Sequence, residues 1–284
     1  MGKKAIFVMS QKGGVGKSTF ARGLLDHLRR YHSAGSDAPA KTIAFDLQPE
    51  VNQLGVAYGL KKDDGRGGLV YDAAANLSNP FAGVISLSLR DDKDVEMIGE
   101  ALDYGADILL FDLPGGSVDE MKSVFGTLQE FIGEYKSAGY EIVVAMALSY
   151  LAASAAGVEE IMKVWGPSAK YVAVLNLGQA PRDDFIFFDG ERAERFGYPK
   201  DLIEAAGGVV VEMPSLQQST YALVDADGVG FSEAANPDSS TYSRTHRVRI
   251  RGWLERFDAQ IAKMELVDYR QEDMDSFAAA EQKG

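Results

Sequence analysis

Cysteine is absent from this chain. Disulfides, thiolate metal sites, iron–sulfur clusters and cysteine nucleophiles are excluded with it. The absence is consistent with a reducing compartment, and a cytoplasmic location is expected. No apolar run reaches the roughly 18 residues of a membrane-spanning helix, so no membrane insertion is expected. The start, Met1-Gly2-Lys3-Lys4 followed by Ala5–Met9, has a basic tip, but its apolar run is too short for a signal peptide. Net positive charge is lacking too: 29 Lys and Arg stand against 42 Asp and Glu, a formal charge of -13. Such a chain is not drawn wholesale to DNA or anionic lipid, so any such contact needs a local basic patch. No internal repeat is visible.

Apolar residues make up 46% of the 284 and charged residues 25%, enough for the core of an independent α/β domain. Short, near-continuous apolar runs at Lys4–Met9, Thr42–Asp46, Val84–Leu89, Asp107–Asp112, Glu141–Ala147, Tyr171–Leu177 and Val209–Met213 read as strands covered on both faces. Helical stretches alternate with them at Gly16–Arg30, Val118–Lys136, Leu151–Val164, an interrupted Asp183–Ala206, and Tyr242–Leu266. The alternation predicts an α/β fold with a doubly wound, mostly parallel sheet flanked by helices. Ser33–Ala40 and Lys61–Gly68 read as loops. No linker divides the chain, which reads as a single domain over residues 1–264. Residues 265–284 carry Glu265, Asp268, Glu272, Asp273, Asp275 and Glu281 against Arg270 and Lys283, and are expected to be an acidic, flexible tail.

Residues Gln11-Lys12-Gly13-Gly14-Val15-Gly16-Lys17-Ser18-Thr19 follow a predicted strand and open a predicted helix, the context a phosphate-binding loop requires. Glycines let successive backbone N–H groups point at phosphate oxygens, and the helix N-terminus adds partial positive charge. Gly13, Gly14, Val15, Gly16, Lys17, Ser18 and Thr19 are therefore the nucleotide-binding candidates. Lys17 should reach the β- and γ-phosphates, and the Ser18 hydroxyl should ligate Mg²⁺. ATP and Mg²⁺ are the expected cofactors.

The loop departs from the common pattern, with Gln11 where glycine is usual and a second lysine at Lys12. This variant, K-G-G-V-G-K-S-T, resembles the deviant Walker A motif of the ParA/MinD family of ATPases. The resemblance implies a P-loop NTPase of the three-layer α/β/α type, with Lys12 as the signature lysine that reaches a partner's nucleotide in an ATP-bound homodimer. A cation supplied in trans neutralises phosphate charge only when two subunits meet. Asp46-Leu47-Gln48-Pro49-Glu50-Val51-Asn52 resembles the family's first switch: Asp46 matches its aspartate near Mg²⁺, and Asn52 matches its asparagine. Gln48 replaces the second switch aspartate. A glutamine can hold a water but cannot act as a base, so slow or partner-stimulated hydrolysis is expected. Ile108–Phe111 followed by Asp112-Leu113-Pro114-Gly115 resembles a Walker B strand with the second switch, and Asp112 would hold Mg²⁺ through water. By the same resemblance Asn176 would read the adenine edge and the loop at Pro214 would pack on the base. The likeness spans residues 4 to 264, least well over 183–208, which reads as an insertion.

Arg244, Arg247, Arg249 and Arg251 crowd one predicted helix, and Arg244, Arg247 and Arg251 have the spacing of one face. ParA-like proteins bind DNA non-specifically through basic residues near the C-terminus. The same cluster also reads as a solvated arginine face, with Trp253 and Phe257 packing the helix onto the sheet. Three functions stay open: a dimerising partition or positioning ATPase with an activating partner protein; an ATP-dependent small-molecule ligase of the same superfamily; and a nucleotide-binding regulatory or assembly factor of a conjugation, secretion or envelope system.

Overall fold

The computed structural model describes residues 2–116, 121 and 128–282. Among them nine strands run in chain order: β1 (Lys3–Met9), β2 (Thr42–Asp46), β3 (Lys61–Asp63), β4 (Leu69–Tyr71), β5 (Ile85–Ser86), β6 (Ile108–Asp112), β7 (Tyr140–Leu148), β8 (Ala169–Asn176) and β9 (Val209–Met213). Seven of them form one sheet in the order β5-β2-β6-β1-β7-β8-β9, and every neighbouring pair is parallel. The remaining two, β3 and β4, form a separate antiparallel hairpin.

Side chains alternate across each strand and sort into two cores. In β1, Ala5, Phe7 and Met9 enter one core, while Ile6 and Val8 enter the other. Both faces are covered, so the strands read as continuous apolar runs rather than alternating ones. Phe45, Phe111 and Phe7 occupy one register across β2, β6 and β1, with ring centroids 4.8 and 4.7 Å apart, a cross-strand ladder that fixes the alignment of three strands.

The Phe7 side is covered by α4 (Asp92–Glu100), α5 (Leu128–Ser137), α6 (Ala152–Trp165) and α7 (Pro199–Ala205), in chain order after α1 (Lys17–Arg30), α2 (Gln53–Tyr58) and α3 (Ala73–Ser78). The Ile6 side is covered by α1 and α2, and by α8 (Gln218–Asp227), α9 (Phe231–Ala235) and α10 (Arg244–Ala262). A last helix, α11 (Gln271–Glu281), packs on α10. The result is three layers, helix–sheet–helix. No helix among the described residues is long and apolar enough to cross a membrane.

The strand expected at Val84–Leu89 shortens to Ile85–Ser86, because β5 lies at the sheet edge and pairs only with β2. The helix expected at Val118–Lys136 lies in part outside the described residues; over Leu128–Ser137 it is α5. The interrupted stretch at 183–206 is broken into two 3-10 turns, Arg182–Asp184 and Ala193–Phe196, and then α7. Gly197, at φ 68, ends the second turn, and Pro199 opens α7. The acidic segment expected to be loose contains α11. Its apolar residues Phe277 and Ala280 are buried, and Phe277 packs edge-on to Tyr31 and Tyr269. Charge composition hid that stripe.

Candidate functional site

Parallel order brings the C-terminal ends of β2, β6 and β1 side by side. Asp46 and Asp112 end their strands in register, and Val8 lies opposite Asp112. The loop from Ser10 to Gly16 turns over these ends and enters α1 at Lys17. Gly16 sits at φ 99, where a Cβ would lie 2.3 Å from Asn176 Nδ2, so both the backbone and the space require glycine. Gly115, in the loop after β6, presses on the same loop from the other side: a Cβ there would lie 3.1 Å from Gly13 N. The side chain of Gln11 runs across Gly157 of α6, where a Cβ would meet it at 2.6 Å. The unusual glutamine is therefore a packing residue on the back of the loop. Lys12, Gly13 and Gly14 are exposed, Val15 is buried, and Ser18 and Thr19 are half-buried.

Lys17 is 5% exposed. Burial lowers its pKa, and the charge of Asp112 pulls the other way. Asp112 is fully buried, and both its carboxylate oxygens lack a hydrogen bond of normal geometry among the described residues. Burial, then the nearby Asp46 charge, push its pKa up to about 7, against the pull of Ser18 and Lys17. Asp46 is equally deep, and burial raises its pKa too, but its oxygens are occupied. Oδ1 accepts from Gln48 N at 2.9 Å, and Oδ2 accepts from Leu54 N at 2.8 Å and Gly55 N at 3.3 Å. Asp46 thus ties down the loop after β2 and the start of α2, while the Asp112 oxygens are left without such donors. Gln48 Nε2 donates to Ser18 Oγ at 3.3 Å, so Gln48 lies against the start of α1, next to the glycine loop. Asn52 takes a left-handed conformation at φ 46 with a buried, unpaired Oδ1.

An unpaired buried carboxylate beside a serine hydroxyl fits a hydrated Mg²⁺ ion, with Ser18 and Asp112 as its nearest groups and Asp46 behind them. Among the described residues no cluster of three or more His, Cys, Asp or Glu is shaped to hold a metal alone.

Two cavities adjoin along the loop. One, of about 430 Å³, is bounded by Gly14, Lys17, Ser18, Gln48 and Gln53. The other, of about 160 Å³, is bounded by Met213, Pro214, Leu216, Gln218 and Trp253. Thr19, Asn176, Gln179 and Tyr221 border both. Asn176 Nδ2 donates to Val15 O at 2.9 Å and Oδ1 accepts from Gly178 N at 2.9 Å; its amide holds the loop to the end of β8. Gln179 Nε2 donates to Gly14 O at 2.5 Å. Pro214 O accepts from Trp253 Nε1 at 2.7 Å, which fixes the wall of the smaller cavity. Sequence reasoning missed Gln179 and Tyr221; neither lies in a motif, and α8 has no strong apolar stripe to announce it.

Arg244, Arg247 and Arg251 keep the spacing of one face on α10, but they do not all stay free. Arg247 Nη1 donates to the carbonyls of Ser239 and Tyr242, so it caps the loop before α10. Arg244, Arg249 and Arg251 are exposed and have no acidic partner among the described residues. Arg249 lies two positions from Arg251 and five from Arg244, on another side of the helix. Trp253 and Phe257 are buried and stack at 4.8 Å.

No protein-family model and no curated protein matches the chain. Among solved structures it is similar to the MinC–MinD cell division complex of Aquifex aeolicus, at 16% identity over 92% of this chain and 96% of that one, with a TM-score of 0.45. It is similar to an Archaeoglobus fulgidus nucleotide-binding protein in complex with ADP, at 20% identity over 83% and 89% with a TM-score of 0.42. It is similar to a Cyanothece McdA–ATP complex, at 12% identity over 89% and 95% with a TM-score of 0.44. A seven-stranded parallel sheet between two helical layers, with a glycine loop between β1 and α1 and aspartates ending the two strands next to β1 on one side, makes this chain a three-layer α/β/α fold of the P-loop NTPase type.

Proposed function

We propose that the chain binds ATP with Mg²⁺ and works as a ParA/MinD-type nucleotide switch with slow intrinsic hydrolysis. The observation that carries the reading is the unpaired, buried carboxylate of Asp112 beside Lys17 and Ser18 under a glycine loop. An arrangement so costly without ligand is explained by a ligand that supplies a cation and takes up the loop's N–H groups. Ser18 and Asp112 would hold the ion, with Asp46 near its waters, and Mg²⁺ would neutralise phosphate charge. Gly13, Gly14, Val15 and Gly16 would line the phosphates, with Lys17 reaching the terminal ones and Thr19 following. Asn176 and Pro214 would wall the base. The exposed Lys12 is free to reach a second copy's nucleotide, and Gln48 supplies no base.

Calorimetric titration with ATP tests the core of this reading. Wild type binds with Mg²⁺ and much more weakly in EDTA, and Lys17→Ala binds at least tenfold more weakly; tight binding by Lys17→Ala refutes it. Size exclusion with a non-hydrolysable ATP analogue tests the homodimer: dimers in wild type and monomers in Lys12→Ala support the role in trans. DNA co-sedimentation with ATP against ADP over a salt series tests whether Arg244, Arg249 and Arg251 make a nucleotide-dependent DNA surface, with Arg247 excluded from it. Equal retention with both nucleotides removes the DNA-partition form of the proposal. An activating partner protein would then be sought by its effect on turnover.

A further inference from the structure

Tyr221, on α8, comes from a stretch with no motif and borders the cavity that Lys17, Ser18 and Gln48 also line. Its hydroxyl lies 2.8 Å from Thr19 Oγ1, the second hydroxyl of the phosphate loop. We propose that Tyr221 is a positioning residue for nucleotide: its phenol donates to Thr19 and so aims the Thr19 hydroxyl hydrogen into the phosphate cavity. This rests on the ATP-binding reading above.

Three observations carry it. The Thr19 hydroxyl has no other partner among the described residues and does not turn back onto the carbonyls of its own helix, the usual resting contact for a helical threonine. Tyr221 borders both the larger and the smaller cavity, at their junction. The tie is also not needed to hold α8. Arg22 donates to Asp225 at 2.7 Å and also to Val229 O; Thr220 bonds His246 Nδ1 at 2.9 Å, and Tyr242 donates to Asp227 at 2.7 Å. α8 is thus fastened to α1 and α10 on either side of Tyr221, which presents the phenol as a fixed group rather than one recruited by the helix.

The chemistry follows from the inventory of a hydroxyl pair. Each oxygen can donate once and accept twice. With phosphate in the loop, the favourable arrangement is a relay in which Tyr221 donates to Thr19 and Thr19 donates to a phosphate oxygen, each bond polarising the next. Phenylalanine at 221 keeps the ring and removes the donor, leaving the threonine hydrogen unaimed.

The test is a double-mutant cycle on ATP and ADP affinity, with melting of the nucleotide-free protein as the control. Tyr221→Phe is expected to weaken both nucleotides about fivefold to tenfold and to leave the nucleotide-free melting temperature unchanged. Thr19→Ala weakens them similarly or more, and the double variant is no weaker than Thr19→Ala alone. Unaltered affinity in Tyr221→Phe, with wild type binding ATP normally, overturns this inference alone. Losses that add in the double variant also overturn it, since they mean that the two hydroxyls act separately. If wild type binds neither nucleotide, the functional reading falls and this inference with it.

Discussion

Asp112 should make the nucleotide-free protein less stable than its own amide variant. The carboxyl is fully buried, and its pKa is raised from the ordinary 3.8 to about 7, by burial first and then by Asp46. A raised acid pKa means that the folded state holds the proton more tightly than the unfolded chain. The stability this proton gives is complete below pH 4 and is lost as pH rises towards 7. A gap of about three units at 1.36 kcal/mol per unit corresponds to about 4 kcal/mol lost over that window. Asn is isosteric and does not titrate, but it leaves an unpaired buried amide, which costs about 1–3 kcal/mol. Asp112→Asn, in EDTA without nucleotide, is therefore expected to melt higher than wild type at pH 8, by about 1–3 kcal/mol. The advantage shrinks or reverses at pH 5, while Mg²⁺-dependent ATP binding is lost. Chemical denaturation of both proteins at several pH values measures it. A difference in stability that does not change between pH 5 and pH 8 refutes the reasoning, because it means that the carboxylate has a partner it keeps when charged.

Gly16→Ala strains a backbone at φ 99 and drives a methyl group into Asn176. It should cost about 1–3 kcal/mol of stability and abolish ATP binding; retained affinity for a fluorescent ATP analogue refutes the loop geometry. Gln48→Asp puts a carboxylate where the amide now touches Ser18, and steady-state ATP turnover should rise tenfold or more. An unchanged rate means that the missing base is not what limits hydrolysis. Asp258 accepts from His27 Nδ1 at 2.8 Å, from Arg30 at 2.7 and 3.0 Å and from Tyr31 at 3.0 Å. Burial would raise its pKa, but those partners hold it below the usual range. That stability is present at neutral pH and is lost as pH falls through the carboxylate range. Asp258→Ala strands buried His27 and removes the partner of half-buried Arg30, and should cost about 3 kcal/mol in urea unfolding, with ATP affinity of the folded fraction unchanged.

The strands of the large sheet were legible because covering both faces writes them as apolar runs. The glycine loop between β1 and α1 was legible because glycine, lysine and serine recur at fixed offsets for a local reason. What failed to show shares one cause: it depends on contacts distant in the chain. α11 reads as acid, and only Phe277 and Ala280 meeting α10 and Tyr31 make it a helix worth folding. Arg244, Arg247 and Arg251 share a face by their spacing, but the spacing does not show that Arg247 is spent on carbonyls of the preceding loop. Asp46 and Asp112 look alike in sequence, each ending an apolar strand. Only the turn of chain from Gln48 to Gly55 satisfies one and leaves the other bare. The bond from Tyr221 to Thr19 crosses 202 positions and carries no local signature.

The strand order has a consequence for how the protein comes into being. β1 and its glycine loop precede every other strand of the sheet in the chain, yet β1 does not pair with β2. Its partners are β6 and β7, with Lys4 opposite Ile108 and Glu141. A nascent chain therefore exposes both edges of β1 until β6 has been made, and its second edge until β7 has followed, a window open to misassociation. Asn176 and Tyr221, which hold the loop from β8 and α8, arrive later still. A nucleotide bound as proposed would be captured only by a molecule that has finished folding, and would withdraw completed chains from the pool that can still go astray.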